Sequence, residues 1–394
     1  MKRSHLHFFT VLFTMLSVSL QGQHSGYSFR DKIDIEVTPV KNQYRSGTCW
    51  SYASVSFLEA ELIRTGKGSH DLSEMFLVKQ CYQDKADKFV RMQGKTNFGN
   101  GGLAPDLLLV WKKYGLLPEE VLTGIHAGDP GPVHAEMDAV LKSYVEEIIK
   151  NPNRKLSMDW KNGFDGILDA YLGKTPATFY YRGKEFTANS FANSLNLSPD
   201  DYLSIGSYTH HSFYKPFILE IPDNWAWHEI QNVKLDEMMD VLDNALENGY
   251  TVCWDADVGE KGFNWKKGVA LIPSDDIKDL DNLEEGKWSQ LSEGEKQALI
   301  YDFSSPKKEK VITQEVRQEW FDDYSTTDDH LMHITGTAVD QDGNKFYKVK
   351  NSWGVGNQVY NGYFYCSVAY MRAKTLFFMV HKDAVPPNLA KKIR

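Results

Sequence analysis

The chain has 394 residues, 42% hydrophobic, 25% charged and 13% aromatic, with a formal net charge of −9. This is the composition of an ordinary folded protein, and it excludes wholesale disorder, collagen-like repeats and long coiled coils. No Lys/Arg-rich run stands out from the acidic background, so nucleic acid is not an expected partner.

At the N-terminus, Lys2 and Arg3 precede an apolar run from Phe8 to Leu20, followed by polar Gln21-Gly22-Gln23. A charged start, a short apolar stretch and small or polar residues after it are the pattern of a secretory signal. About 13 apolar residues fall short of the ~20 needed to span a bilayer. Residues 1–23 are therefore expected to be a cleaved signal peptide on an exported, periplasmic or extracellular protein with no membrane anchor.

Next, Ile33-Asp34-Ile35-Glu36-Val37 alternates apolar and charged residues and predicts a strand. From Cys49 to Arg64, Trp50, Ala53, Phe57 and Ala60 recur at helical spacing after the start signal Ser46-Gly47-Thr48. Helical patterns follow over residues 73–82 and 104–114, the second introduced by Gly99-Asn100-Gly101-Gly102. Residues 133–149 are strongly amphipathic until Asn151-Pro152-Asn153 breaks them. Short apolar strands are expected at 217–221 and 251–254, with a helix over 235–246 between them. Residues 275–319 are charged, helix-prone and expected at the surface. Strands over 331–339, 346–350 and 362–366 close the chain, the first two joined by turn residues from Asp340 to Asn344. Helices first and antiparallel strands last predict an α+β fold. Its expected parts are a helical lobe over 24–130, an insertion over 131–200 and a β-rich lobe over 201–394.

The chemistry concentrates in Gln43-x5-Cys49-Trp50, Asp329-His330 and Asn351-Ser352-Trp353-Gly354. A thiol attacks carbonyls only as thiolate, and a helix N-terminus stabilises that anion. A nearby imidazole completes the ion pair and later protonates a leaving amine, while an Asn oxygen holds its other nitrogen. The Cys49 N–H and the Gln43 amide supply donors for an oxyanion. His330 and His333 compete for the imidazole role; His330, at the strand's entrance, is preferred over the strand-interior His333.

This order and local text resemble the papain-like cysteine peptidases, and within them the bleomycin hydrolase and aminopeptidase C branch. The resemblance rests on Ser46-Gly47-Thr48-Cys49-Trp50, Lys350-Asn351-Ser352-Trp353-Gly354, Leu72-Ser73-Glu74, Gly101-Gly102 before Lys113-Tyr114-Gly115-Leu116, and Asp257-Val258-Gly259. It implies a two-lobed papain-like fold with a helical insertion and Cys-His-Asn catalysis by Cys49, His330 and Asn351. It also implies Gln43 in the oxyanion site, and Trp353 and Trp50 as supporting residues. Peptides are the implied substrates, no cofactor or metal is required, and a hexamer is the implied assembly. In that branch the C-terminal carboxylate lies in the cleft and pairs with the substrate amine. This chain instead ends Pro386-Pro387-Asn388-Leu389-Ala390-Lys391-Lys392-Ile393-Arg394, a different text. Aminopeptidase action is therefore expected with endopeptidase action left open, and a non-catalytic binding protein on the same fold is the reading of another class.

Other patterns are weaker. Cys81, Cys253 and Cys366 read as buried thiols or one bridge. His228-Glu229 lacks the second His of a zinc-protease helix. The acidic run from Asp322 to Asp329 reads as a solvated loop beside His330, or as an attractor for a cationic substrate end.

Overall fold

The structure is a computed structural model and describes residues 25–394 apart from 127, 153–154, 277–287, 289, 357 and 394. The signal-peptide expectation for residues 1–23 thus lies outside the described residues. The strand expected near Ile33 forms as β1 (Arg30–Asp34), somewhat earlier, because pairing with a later strand sets its bounds.

The first helices build around α1 (Cys49–Arg64), in which every residue from Trp50 to Leu62 is buried. A helix enclosed on all sides is a central strut rather than a surface element. Packed against it are α2 (Glu74–Arg91) and α3 (Pro105–Tyr114). The second of the three runs nine residues past its expected end at 82, because Lys85, Ala86 and Phe89 extend the buried stripe. Ser73 caps it by accepting the Phe76 N–H at 3.0 Å. Then α4 (Ala135–Ile149) and α5 (Asp159–Leu172) add Met137, Leu141, Val145, Phe164 and Leu168 to the same core. A small hairpin, β2 (Phe179–Tyr181) with β3 (Lys184–Phe186), and helix α6 (Ala188–Ser194) complete this part.

The other part is built on one eleven-stranded sheet. Its strands are β1, β4 (Tyr202–Gly206), β5 (Pro216–Ile218), β6 (Glu229–Asn232), β7 (Val252–Ala256), β8 (Phe263–Asn264), β9 (Val269–Ala270), β10 (His330–Val339), β11 (Lys345–Lys350), β12 (Tyr363–Ser367) and β13 (Thr375–His381). They run in the order β5-β6-β4-β13-β7-β10-β11-β12-β9-β8, with β1 pairing β10. The central β13 is absent from the sequence reading. Its residues from Thr375 to Val380 are all buried, and a strand covered on both faces shows no alternation to read. Helix α7 (Leu235–Glu247) forms where its spacing predicts.

Alternation along the central strands separates two cores. Cys253, Leu331, Phe377 and Met379 pack with α1, whereas Val252, Trp254, Met332, Phe378 and Val380 pack with α7. The two helices therefore cover opposite faces of the sheet. The described end of the chain lies on the α7 face: Leu389 and Ile393 pack there, and Lys392 bridges Glu237 at 2.7 Å.

A buried polar network ties α1 to the sheet. The Lys350 ammonium donates to the Thr38 carbonyl at 2.6 Å and to Ser56 Oγ on α1 at 2.7 Å. Ser56 Oγ also meets His333 Nδ1 at 2.9 Å, and Thr38 donates to Glu59 at 2.6 Å. Burial lowers Lys350 to about 8 against the opposing pull of Glu59, and raises Glu59 to about 7 against the opposing pull of Lys41. Replacing Lys350 by Met should lower the unfolding free energy in urea titrations by about 3 kcal/mol, because it strands buried acceptors without a donor.

Candidate active site

The turn before α1 explains why Cys49 opens that helix. Gly47 has φ 66°, and a Cβ there would stand 2.1 Å from Asn100 Nδ2, so both conformation and space require glycine. Thr48 precedes the helix without capping it; its hydroxyl pairs with Ser46 Oγ at 2.6 Å instead. The first turn carries no acidic residue, and among the described residues the Cys49 and Trp50 N–H groups have no partner. This leaves the positive end of α1 open to an anion. The indole N–H of Trp50 donates to the Asn100 carbonyl at 2.9 Å, holding the Gly99-Asn100-Gly101-Gly102 loop against the turn.

Strand pairing brings the other residues to the same place. The register sets Lys350 opposite His333, so Asn351 returns alongside the start of β10. There His330 Nε2 meets Asn351 Oδ1 at 2.8 Å, and the Trp353 indole stacks on the His330 ring with centroids 4.8 Å apart. The peptide N–H of Leu331, the residue after His330, faces the Cys49 sulfur and favours its charged form. Gln43 lies beside them: its N–H donates to the Ser352 carbonyl at 2.8 Å, and its side-chain oxygen accepts from Ser352 Oγ at 2.6 Å. With that oxygen engaged, the Gln43 amide nitrogen has no partner among the described residues and stays free to donate. All six residues singled out from the sequence thus lie in one region, whereas His333 bonds Ser56 inside the polar network.

Electrostatics oppose ionisation of either reactive group alone. Burial pushes the Cys49 thiol up to about 12, with the Leu331 N–H pulling it down and Asp255, Asp328 and Asp223 pushing it further up. Burial likewise lowers His330 to about 4, against the opposing pull of Asn351. A lone charge on either group is therefore strongly disfavoured.

Two contributors escaped the sequence reading. Ser352, which orients Gln43, looks like a linker residue in the text. Asp255 is a carboxylate within the fully buried strand Val252–Ala256, and an acidic residue inside an apolar run was the available signal. Cys81, Cys253 and Cys366 are buried free thiols, so no bridge forms among them. His228 Nε2 meets Asp106 at 2.7 Å, a structural pairing.

Fold and site together define a papain-like cysteine peptidase. The sequence profile of the papain family cysteine proteases matches residues 25–143, and that of the Peptidase C1-like family matches residues 171–394, more than half of the chain. The chain belongs to the Peptidase C1-like family. It is 22% identical to aminopeptidase C of Lactococcus lactis subsp. lactis over 93% of its length and 86% of that protein. It is 23% identical to aminopeptidase C of Listeria monocytogenes over 90% of its length and 83% of that protein. The crystal structure of PepW from Lactobacillus rhamnosis superposes with a TM-score of 0.69 at 20% identity, covering 93% of this chain and 85% of that one.

The pH dependence of alkylation follows from these shifts. In the intact protein, iodoacetamide should modify Cys49 readily at pH 7, because a neutral His330 is there to take up the thiol proton. In His330→Ala no imidazole takes that proton while burial still holds the thiol up, so the rate at pH 7 should fall at least a hundredfold and climb steadily with alkalinity.

Proposed function

We propose that this protein is an exported cysteine aminopeptidase that cleaves peptides through Cys49, His330, Asn351 and Gln43. The observation that carries the reading is the Cys49 sulfur held against the Leu331 N–H, one residue from an imidazole fixed by Asn351. Cys49 Sγ, having passed its proton to His330, attacks the substrate carbonyl. The oxyanion is met by the Cys49 N–H and the Gln43 amide nitrogen. His330 then returns the proton to the leaving amine, and a water deprotonated by His330 releases the acyl group. Trp353 covers the His330–Asn351 bond and keeps it dry, which preserves the ring's orientation.

The exopeptidase part of the reading is supported by relatives named aminopeptidase C that match nearly the whole chain. One observation favours endopeptidase action as a second reading: the described C-terminal residues lie on the α7 face, away from Cys49. Export is supported by the text of residues 1–23, and N-terminal sequencing of protein recovered outside the cytoplasm should begin after that segment.

A peptide and its N-acetylated twin distinguish the two readings. Loss of the free-amine peptide with the blocked one untouched is the expected result; equal cleavage of both would establish endopeptidase action. Gln43→Ala should lower kcat by about a hundredfold in steady-state assays while leaving KM within a few-fold, because its amide serves the oxyanion only.

A further inference from the structure

Asp255 is fully buried on β7, on the α1 face of the sheet. Neither of its carboxyl oxygens has a hydrogen-bond donor among the described residues. A carboxylate in that position is costly unless a cation or a shared proton offsets its charge. The group facing it is a second carboxyl, Asp328, one oxygen of which is likewise buried without a donor. The buried lysines of the neighbourhood are engaged elsewhere: Lys85 on the carbonyls of Gly99 and Gly101, Lys374 on Asp257 and Glu260.

The pair sits beside the reactive sulfur. Asp255 is the register partner of Leu331, whose N–H contacts Cys49, and Asp328 lies two residues before His330. Asp223 stands on the other wall, its carboxylate packed so closely on Gly101 that a Cβ there would lie 1.9 Å from it. These three are the carboxylates that act most strongly on the Cys49 thiol. Asp255 closes the inner end of the group, whereas Asp328 and Asp223 are partly exposed and open towards solvent.

We propose that Asp255 and Asp328 form the subsite that receives the free α-ammonium group of the substrate, with Asp223 flanking it. The inference rests on the aminopeptidase reading and supplies its specificity. An α-ammonium nitrogen is two bonds, about 2.5 Å, from the carbonyl carbon that Cys49 attacks, so its anchor has to lie next to the sulfur. An ammonium group carries three donors and a positive charge, which matches two carboxyl groups lacking both. Burial raises both carboxyls, Asp328 to about 7, so one proton shared between them, in a hydrogen bond that joins the two, offsets part of their charge. The ammonium displaces that proton. In this chain side-chain carboxylates thus occupy the role that a terminal carboxylate would serve, while the described tail runs along α7.

The test compares kcat/KM for an aminoacyl anilide bearing a free amine, its N-acetylated form and an acetylated substrate with Lys upstream, in the wild type, Asp255→Asn and Asp328→Asn. Each variant should lose about thirtyfold or more on the free-amine substrate, the loss expected for removing one partner of a buried charge pair. Its preference for free over acetylated amine should fall accordingly. Asp328, being partly exposed, gives a readable variant even if Asp255→Asn folds poorly, and alkylation of Cys49 reports separately that the thiol is in place. Unchanged preference in a folded Asp328→Asn overturns the inference, as does a loss confined to the substrate with upstream Lys, which would assign the pair to a side-chain ammonium. A wild type that cleaves blocked and free peptides equally removes the aminopeptidase reading itself, a result visible before any variant is made.

Discussion

The contact between the start of α1 and the start of β10 is the constraint on which this structure turns. A sulfur at the open end of a buried helix lies against the peptide that follows an imidazole. Neither element makes a site alone. The helix supplies two N–H groups without a partner among the described residues and a positive end, and the strand supplies a ring whose other nitrogen is taken by Asn351. Everything else keeps these two in register. Lys350 reaches from β11 to Ser56 on α1 and to the segment around Thr38, and the residue after Lys350 is Asn351. The network that stabilises the junction therefore also places the group that orients His330.

Burial sets the energetic character of the site. In water a thiol and an imidazole ionise near neutrality, but here desolvation drives the first up and the second down. A lone charge on either is strongly disfavoured, and the helix end and the Leu331 N–H are what favour the negative form of the sulfur. Three carboxylates nearby oppose the thiolate. A protein that needed only the thiolate would gain by losing them, and a cationic substrate end that neutralises them would favour thiolate formation at the moment of binding.

The sheet is what permits two different surfaces on one scaffold. Alternation sends Cys253, Asp255 and Leu331 towards α1, while Trp254 and Met332 turn to α7. Chemistry gathers on the first face and the described tail docks on the second. Asp255 belongs to the first only because of its parity in β7; a shift of one residue would bury it among the apolar partners of α7.

The α+β order, the Cys49 helix, its glycine turn and the linear motifs around His330 and Asn351 were legible in the sequence, because helix periodicity and turn chemistry are local. The central strand β13 was not, since a run buried on both faces carries no alternating pattern. Nor was the extension of α2, which depends on where Phe89 finds a core. Which carboxylates stand beside the sulfur was decided by strand register alone: Asp255 and Asp328 are more than seventy positions apart in the text and meet because β7 and β10 pair antiparallel. Local pattern names the reactive groups; only the pairing of distant strands determines what surrounds them, because that information resides in contacts rather than in neighbouring residues.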